Sequence, residues 1–196
     1  MFYYWDSLRR NLGILATMSD LLTALEDTFR QAGWQFRRVE KREVIEADFE
    51  AHHTRVRVHA QAFAEIGAVS IGAHLSNKVP QSRAGIVAEI LMRTNEELTL
   101  GNFELLWDSG AILFRATNVF GHNKLDPQIV ASLVHSAVAE VDRLTPFIAL
   151  ALSMSQEELS VLNVKMFLMR EDLLPPVPDP DAPDYEAEAD VTKLCN

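Results

Sequence analysis

The stretch TRVRVHAQAFAEIGAVSIGAHL, residues 54–75, decides the fold of this chain because apolar and polar side chains alternate along it. In its first half, valine or alanine fills every second position, with arginine, histidine or glutamine between them. Successive side chains of a β-strand point to opposite faces of the sheet, so this half has one apolar and one polar face. The second half repeats the alternation after a turn at residues 65–67. Two antiparallel strands, each with one buried face, are therefore predicted.

Helices and a hairpin are predicted on either side of these strands. The hairpin is indicated where two alternating segments, residues 103–107 and 112–116, flank the turn residues Asp108, Ser109 and Gly110. Apolar residues at helical spacing predict helices over residues 19–32, 82–98, 126–145 and 155–169.

The order of these elements determines the expected fold class. A helix, about three strands, a second helix, two strands and two further helices contain no repeated β-α-β unit. We therefore expect a single α+β domain over residues 19–170, with an antiparallel sheet of about five strands and helices packed on one face. Pro146 is expected to kink or break the long helix, and Ser155 with Glu158 predicts a capping box at the start of the last helix.

Negative charge is concentrated at the C-terminus. The chain has 28 acidic residues against 18 lysines and arginines, a net charge of −10. Residues 171–196 hold eight acids, one lysine and five of the eight prolines, so they contribute −7 of that charge. Proline and like charges both oppose compact structure, so this segment is predicted to be an extended or disordered acidic tail. The remaining body is nearly neutral, and no basic face of the kind that binds nucleic acid is evident.

Residues 1–18 form a predicted N-terminal extension with two open interpretations. Either the aromatic run FYYW at residues 2–5 belongs to an extra helix that packs on the domain, or translation naturally begins at Met18. The apolar run that follows the arginine pair is too short for a signal peptide. We therefore expect a cytoplasmic protein.

Several classes of protein are excluded by what the sequence lacks. The only cysteine is Cys195, which excludes a disulfide scaffold and is an unsuitable setting for a catalytic thiol. No stretch approaches the ~20 apolar residues of a membrane span. No phosphate-binding loop, dinucleotide fingerprint, nucleophile elbow or zinc-protease motif is present.

Carboxylates and histidines between residues 46 and 74 are candidates for chemistry. A divalent ion would use these side chains: Asp48, Glu50, His52 and His53, with His59 and His74 opposite each other on paired strands. Their spacing matches no metal motif, and strand alternation would place His52 and His53 on opposite faces. Glu46, Asp48 and Glu50 would serve in acid–base chemistry only if one were desolvated. A solvated polar face is the simpler interpretation, and no cofactor is expected.

Two other sets of residues are candidates for binding a protein partner. The first is the outer face of the sheet, where Arg55, Arg57 and His59, together with Arg37 and Arg38, would accept an acidic segment such as the tail. The second is the last predicted helix, whose apolar residues surround more than one side and must be covered by the body or by another chain. Its predicted contact residues are Leu162, Met166, Phe167 and Met169.

The segment EILMRTNEELTLGNFELLWDSGAILFRATNVF, residues 89–120, resembles the YbjN-type family, which shares the type III secretion chaperone-like fold. Asn95, Leu100, Gly101, Phe103 and Glu104 match that family's helix, turn and hairpin pattern. The later EVDRLTPFIAL is similar to its Asp-Arg helix. The resemblance spans residues 19–152 and extends to a cyanobacterial branch of such proteins.

The resemblance implies a small chaperone or adaptor, often dimeric, that binds segments of other proteins and has no catalytic residues. Asn95 and Gly101 are interpreted as structural turn residues. The expected function is therefore non-enzymatic protein binding by a homodimer. Two alternatives stay open: an enzyme that depends on a metal or small molecule and uses Asp48, Glu50 and the histidines, and a regulatory module that acts through its acidic tail.

Overall fold

The structure is a computed structural model that describes residues 19–121 and 124–174. The first helix, α1 (Asp20–Gln31), confirms the prediction, and the Ser19 hydroxyl begins it by accepting the N–H of Leu22 at 3.1 Å. Ser, Thr, Asp and Asn favour this position because their side chains satisfy one of the free N–H groups at a helix start.

Six strands form one antiparallel sheet in the order β1-β2-β3-β4-β6-β5. Their bounds are β1 (Arg37–Arg38), β2 (Val44–Glu50), β3 (Arg55–Phe63), β4 (Ala68–Lys78), β5 (Asn102–Leu106) and β6 (Ala111–Val119). The α+β class and the antiparallel sheet are confirmed, with six strands instead of about five. The additional strand is β1, and its two residues are too few to show an alternating pattern.

The other helices are α2 (Ala84–Glu97), α3 (Pro127–Ser153), α4 (Gln156–Ser160) and α5 (Val164–Leu168). A break at Pro146 was wrong, because α3 continues through this residue. Leu144, Phe147 and Ile148 around the proline are fully buried. Their packing outweighs the roughly 3 kcal/mol that proline costs inside a helix.

The single last helix was also wrong, because the structure has two short helices separated by residues 161–163. The capping box of Ser155 and Glu158 is confirmed at the start of α4. The Asn163 side chain accepts the N–H of Met166 at 3.1 Å and begins α5 as a new N-cap. A capping side chain competes with the continuing helix for backbone groups, which explains the interruption.

The core lies on one face of the sheet. The alternation in β3 is confirmed: Val56, Val58, Ala60 and Ala62 are buried, whereas the residues between them are exposed or half-buried. Contacts from α3 reach β3, β4 and β6, and α1 contacts β3. We call the opposite face, which carries the odd-numbered residues of β3, the helix-free face, since no helix of the described residues packs on it.

Asn95 and Gly101 have the structural roles expected of them. The Asn95 amide donates to the carbonyl of Phe103 at 3.0 Å and accepts its N–H at 2.7 Å, so it pairs with edge strand β5. Gly101 has φ +74°, and a Cβ there would lie 2.6 Å from the Phe114 ring and 2.7 Å from the Arg115 carbonyl. Only glycine fits both the conformation and the space.

Within the described ranges, none of the helices combines the length and the apolar character needed to cross a membrane. The described chain also continues past residue 170, the boundary predicted for the domain. Residues Glu171–Leu173 form a 3-10 turn, and Leu173 packs against the core.

Candidate protein-binding surface

Charged side chains of β2 and β3 face each other across the helix-free face. The strand register places Glu46 opposite His59, Asp48 opposite Arg57 and Glu50 opposite Arg55. We call these six residues the charged ladder. Opposite charges directly across an antiparallel pair stabilise the register, so the same pattern positions the surface and supports the sheet.

Hydrogen bonds and ion pairs join the two sides of the charged ladder. Arg57 Nε lies 2.9 Å from Asp48 Oδ1, and His59 Nε2 lies 2.9 Å from Glu46 Oε1. Arg55 Nε lies 3.3 Å from Glu50 Oε1. Arg37 of β1 adds a contact of 2.6 Å to Glu46. The guanidinium groups are therefore already matched by carboxylates, and the binding of an acidic segment at this face stays a prediction.

Arg38 was wrongly grouped with that face. Its guanidinium group pairs with Glu26 of α1, whose side chain is buried on the opposite side of the sheet. Arg30 also reaches Glu26, at 3.0 Å. Adjacent residues of a strand point in opposite directions, which separates Arg38 from Arg37. This buried pair was not predictable from the sequence, because Glu26 is one of several charged residues in α1 and its partner Arg38 lies on another element.

The pKa directions keep two carboxyl groups of the ladder, those of Asp48 and Glu46, ionised. The hydrogen bond and charge of Arg57 lower the pKa of Asp48, and that bond raises the pKa of Arg57. Burial raises the pKa of Glu46, but the charges and hydrogen bonds of His59 and Arg37 outweigh burial and lower it overall. A general acid near neutral pH needs a raised pKa, so these carboxyl groups are poorly suited to that role.

The four candidate histidines lie in two separate pairs, His52 with His53 and His59 with His74. His59 and His74 are diagonal neighbours, not opposite each other, with ring centroids 5.1 Å apart. Burial, followed by the charges of His59, Arg115 and Arg57, lowers the pKa of His74. Among the described residues, no group of three or more His, Cys, Asp or Glu side chains could hold a metal ion.

His52 and His53 lie in the turn between β2 and β3 and not on opposite strand faces. Their ring centroids are 4.6 Å apart. Asp142 of α3 holds this turn, since its Oδ1 accepts the N–H of His53 at 2.6 Å and that of Thr54 at 3.1 Å. Asp142 is only 4% exposed. Asp142 belongs to the EVDRLTPFIAL segment, but its role in holding the turn was not predictable, because it depends on a hydrogen bond to Thr54, 88 residues away in the chain.

A shallow depression of about 410 Å³ adjoins the charged ladder. His74, Leu75 and Ser76 of β4 line it together with five ladder residues. Arg55, Arg57 and His59, the predicted binding residues, therefore lie together at one open surface.

The apolar candidates of the last segment divide into two groups. Phe167 is 4% exposed and contacts Phe147 with ring centroids 5.5 Å apart, so its side chain belongs to the core. Leu162 is half-buried against the core. Met166 and Met169 are both exposed, at 62% and 59%. Among the four predicted contact residues, only Met166 and Met169 have largely exposed apolar side chains.

The acidic tail beyond Leu174 and the N-terminal extension up to Met18 lie outside the described residues. The role of the tail as a regulatory segment therefore stays a prediction.

An antiparallel sheet with helices on one face and a charged ladder on the other defines the class: an α+β protein with one open sheet surface. The profile of the YbjN family, described as a putative bacterial sensory transduction regulator, matches residues 21–149. Since this is well over half of the chain, the chain belongs to the YbjN family, which confirms the resemblance found in the sequence. A search of curated proteins gives no significant match.

The solved structures that are similar to the chain include the following two. The crystal structure of YbjN, a putative transcription regulator from E. coli, has 11% identity and a TM-score of 0.46, covering 71% of this chain and 91% of that one. The crystal structure of the ExsC–ExsE complex has 14% identity and a TM-score of 0.49, covering 72% of this chain and 100% of that one.

Proposed function

We propose that this protein is a non-enzymatic, cytoplasmic adaptor or small chaperone that binds an extended segment of a partner protein on its charged ladder. The observation that carries the proposal is the cross-strand matching of charges at Arg55, Arg57 and His59 beside an open depression. A surface with an acidic row on β2 and a basic row on β3 recognises a segment that carries both signs, because a uniformly acidic or basic segment would meet like charges in one of the rows.

The ladder geometry supports binding better than catalysis. Glu46 and Asp48 are held ionised by their partners, and Asp48 and Glu50 both contact guanidinium groups. A metal-dependent enzyme would need these carboxylates free to coordinate an ion. Half-exposed ion pairs exchange partners at little cost, since each contributes only ~0–1 kcal/mol, and this is what a reversible docking surface requires.

Photo-crosslinking in the native cell tests the proposal. A photoreactive amino acid replaces Gln61, which lies on the same face of β3 as the ladder, or Glu96, which lies on the exposed side of α2 as a control. We expect protein adducts from position 61 and none of the same mass from position 96. Arg55→Glu combined with Arg57→Glu should abolish the adduct in a domain that is still folded, with a lower thermal unfolding temperature because the new glutamates lie directly opposite Glu50 and Asp48.

Two results would contradict the proposal. One is an adduct that forms equally at both positions, and the other is an adduct that survives the double charge reversal. Deleting residues 175–196 tests the regulatory alternative separately: a partner bound through the acidic tail disappears on deletion, and one bound on the ladder remains.

The proposed homodimer uses the exposed methionines of the last segment. Met166 and Met169 present apolar area at the end of the domain, where association would bury it. Met166→Glu combined with Met169→Glu should halve the mass seen in sedimentation, whereas Leu100→Glu at another exposed apolar position should not. A mass unchanged by the methionine substitutions would exclude this interface.

A further inference from the structure

A second feature of the helix-free face is an apolar groove that crosses β4 and β6, from the end of β3 at Phe63 to Leu106 of β5. Its volume is about 520 Å³, and its lining includes Phe63 of β3, Ile66, Leu106 of β5 and Val119 of β6. Ile66 is 63% exposed, Val119 is 64% exposed and Leu106 is 40% exposed. Single exposed apolar residues are ordinary, but a group of them around one groove indicates a surface that another segment covers.

The described chain begins beside this groove. The N–H of Ser19 lies 3.3 Å from Glu43 Oε1, and the Glu43 carbonyl accepts the N–H of Ala62 at 2.9 Å. Ala62 directly precedes Phe63 of the groove lining, and α1 contacts the turn Ala64–Ile66. Residues 1–18 therefore join the domain at the end of the sheet that carries Phe63, Ile66 and Val119 of the groove.

The segment is long enough to cover the groove. Two strand spacings separate β3 from β6, about 10 Å, and passing around the end of the sheet adds a similar distance. Eighteen residues span up to about 60 Å when extended and about 27 Å as a helix. Residues 2–5 can therefore reach Val119 in either conformation.

We propose that residues 1–18 dock on the apolar groove of their own chain, with the aromatic run at residues 2–5 covering Phe63, Ile66 and Val119 at one end of it. Four consecutive aromatic residues match the apolar lining, since each ring buries a large apolar area. The hydroxyls of the two tyrosines suit the polar wall of the groove, where Arg115 Nε bonds Glu104 Oε1 at 2.7 Å. The groove residues differ from those of the ladder, so this inference is independent of the proposed partner site.

Photo-crosslinking in the purified full chain tests the docking. Tyr4 is replaced by p-benzoylphenylalanine, and the adduct is mapped by mass spectrometry. We expect an adduct within one chain, on the peptides that contain Ile66 or Val119. Val119→Glu should abolish it, because a charge in the groove excludes the aromatic run. The matched control is Val161→Glu, a similarly exposed valine at the other end of the domain, which should leave the adduct unchanged.

A second measurement uses trypsin, which cleaves after Arg9 and Arg10. Docking protects these bonds, so cleavage should be faster in Val119→Glu than in the parent protein or Val161→Glu. The proposal is overturned if adducts form outside the groove or not at all, or if Val119→Glu leaves both readouts unchanged. It is also overturned if mixing heavy-isotope and normal copies gives adducts between two chains, which would make a second copy the occupant.

Discussion

Removing the Asp142 carboxylate should destabilise the domain through the turn between β2 and β3. Oδ1 of this residue accepts two backbone N–H groups, from His53 and Thr54, and its other oxygen lies 3.4 Å from His53 Nδ1. Asp142→Ala removes this acceptor, so the N–H groups of His53 and Thr54 both lose their hydrogen-bond partner. Because this turn joins the two strands of the charged ladder, the loss of these hydrogen bonds should loosen the candidate binding surface first.

The magnitude of this loss follows from the geometry. A hydrogen bond to a charged group contributes about 1.5–3 kcal/mol, and an unsatisfied buried group costs about 1–3 kcal/mol. Because His53 is partly exposed, water replaces some of the loss. We expect Asp142→Ala to lower the free energy of unfolding by about 3 kcal/mol, which is about 6–12 °C in melting temperature for a domain of this size.

Asp142→Asn keeps an acceptor oxygen at the same place and should cost only about 1 kcal/mol. Glu140 lies two residues earlier on α3 and pairs with Arg143 at the surface, so Glu140→Ala should cost less than about 1 kcal/mol. Urea unfolding measures all three variants. Amide hydrogen exchange adds a local readout, because the N–H groups of His53 and Thr54 should exchange faster only in Asp142→Ala.

Two outcomes would refute this account of Asp142. The first is equal stability of Asp142→Ala and Glu140→Ala. The second is unchanged exchange at His53 and Thr54, since the turn would then not depend on the carboxylate.

Three further predictions concern Glu26, Gly101 and Phe167. Burial raises the pKa of Glu26, but the hydrogen bonds and charges of Arg38 and Arg30 outweigh burial and lower the pKa overall. The ionised carboxylate therefore stabilises the domain above pH 4.5, its ordinary pKa, and this stabilisation is lost as the pH falls through the lower folded pKa. In Glu26→Gln, urea unfolding measured from pH 7 to pH 3 should show a smaller loss of stability. Gly101→Ala should lower the free energy of unfolding by about 2–4 kcal/mol, because the new methyl group clashes with Phe114 and strains a residue with positive φ. Gly33→Ala is the control: with φ +72° and no neighbour within 4 Å, it should lower the free energy of unfolding by about 1 kcal/mol in the same assay. Phe167→Ala should cost about 3–5 kcal/mol in thermal unfolding and leave the oligomeric mass unchanged, because its ring fills the core.

Sequence periodicity was sufficient for the strands with one buried face. The alternation in β3 and β4 predicted which residues lie in the core, and the capping box of Ser155 and Glu158 predicted a helix start. These signals are local, because side-chain direction in a strand and capping at a helix end depend on residues only a few positions apart.

Local signals failed where packing or a competing cap decided the outcome. Burial of its neighbours keeps Pro146 inside α3, and Asn163 divides the last segment into two helices. The two-residue strand β1 forms only because β2 supplies its hydrogen-bond partners. None of these outcomes can be derived from the period of apolar residues alone.

By itself, the sequence determined the α+β class, the two faces of the central strands, the family and the presence of Arg55, Arg57 and His59 on one surface. The tertiary structure alone decided which carboxylate each arginine meets, and so turned an expected basic face into a balanced ladder. It also brought Asp142 to the turn 88 residues before it. The physical reason is that strand direction depends on the nearest residues, whereas electrostatic partners depend on register and packing between segments far apart in the chain.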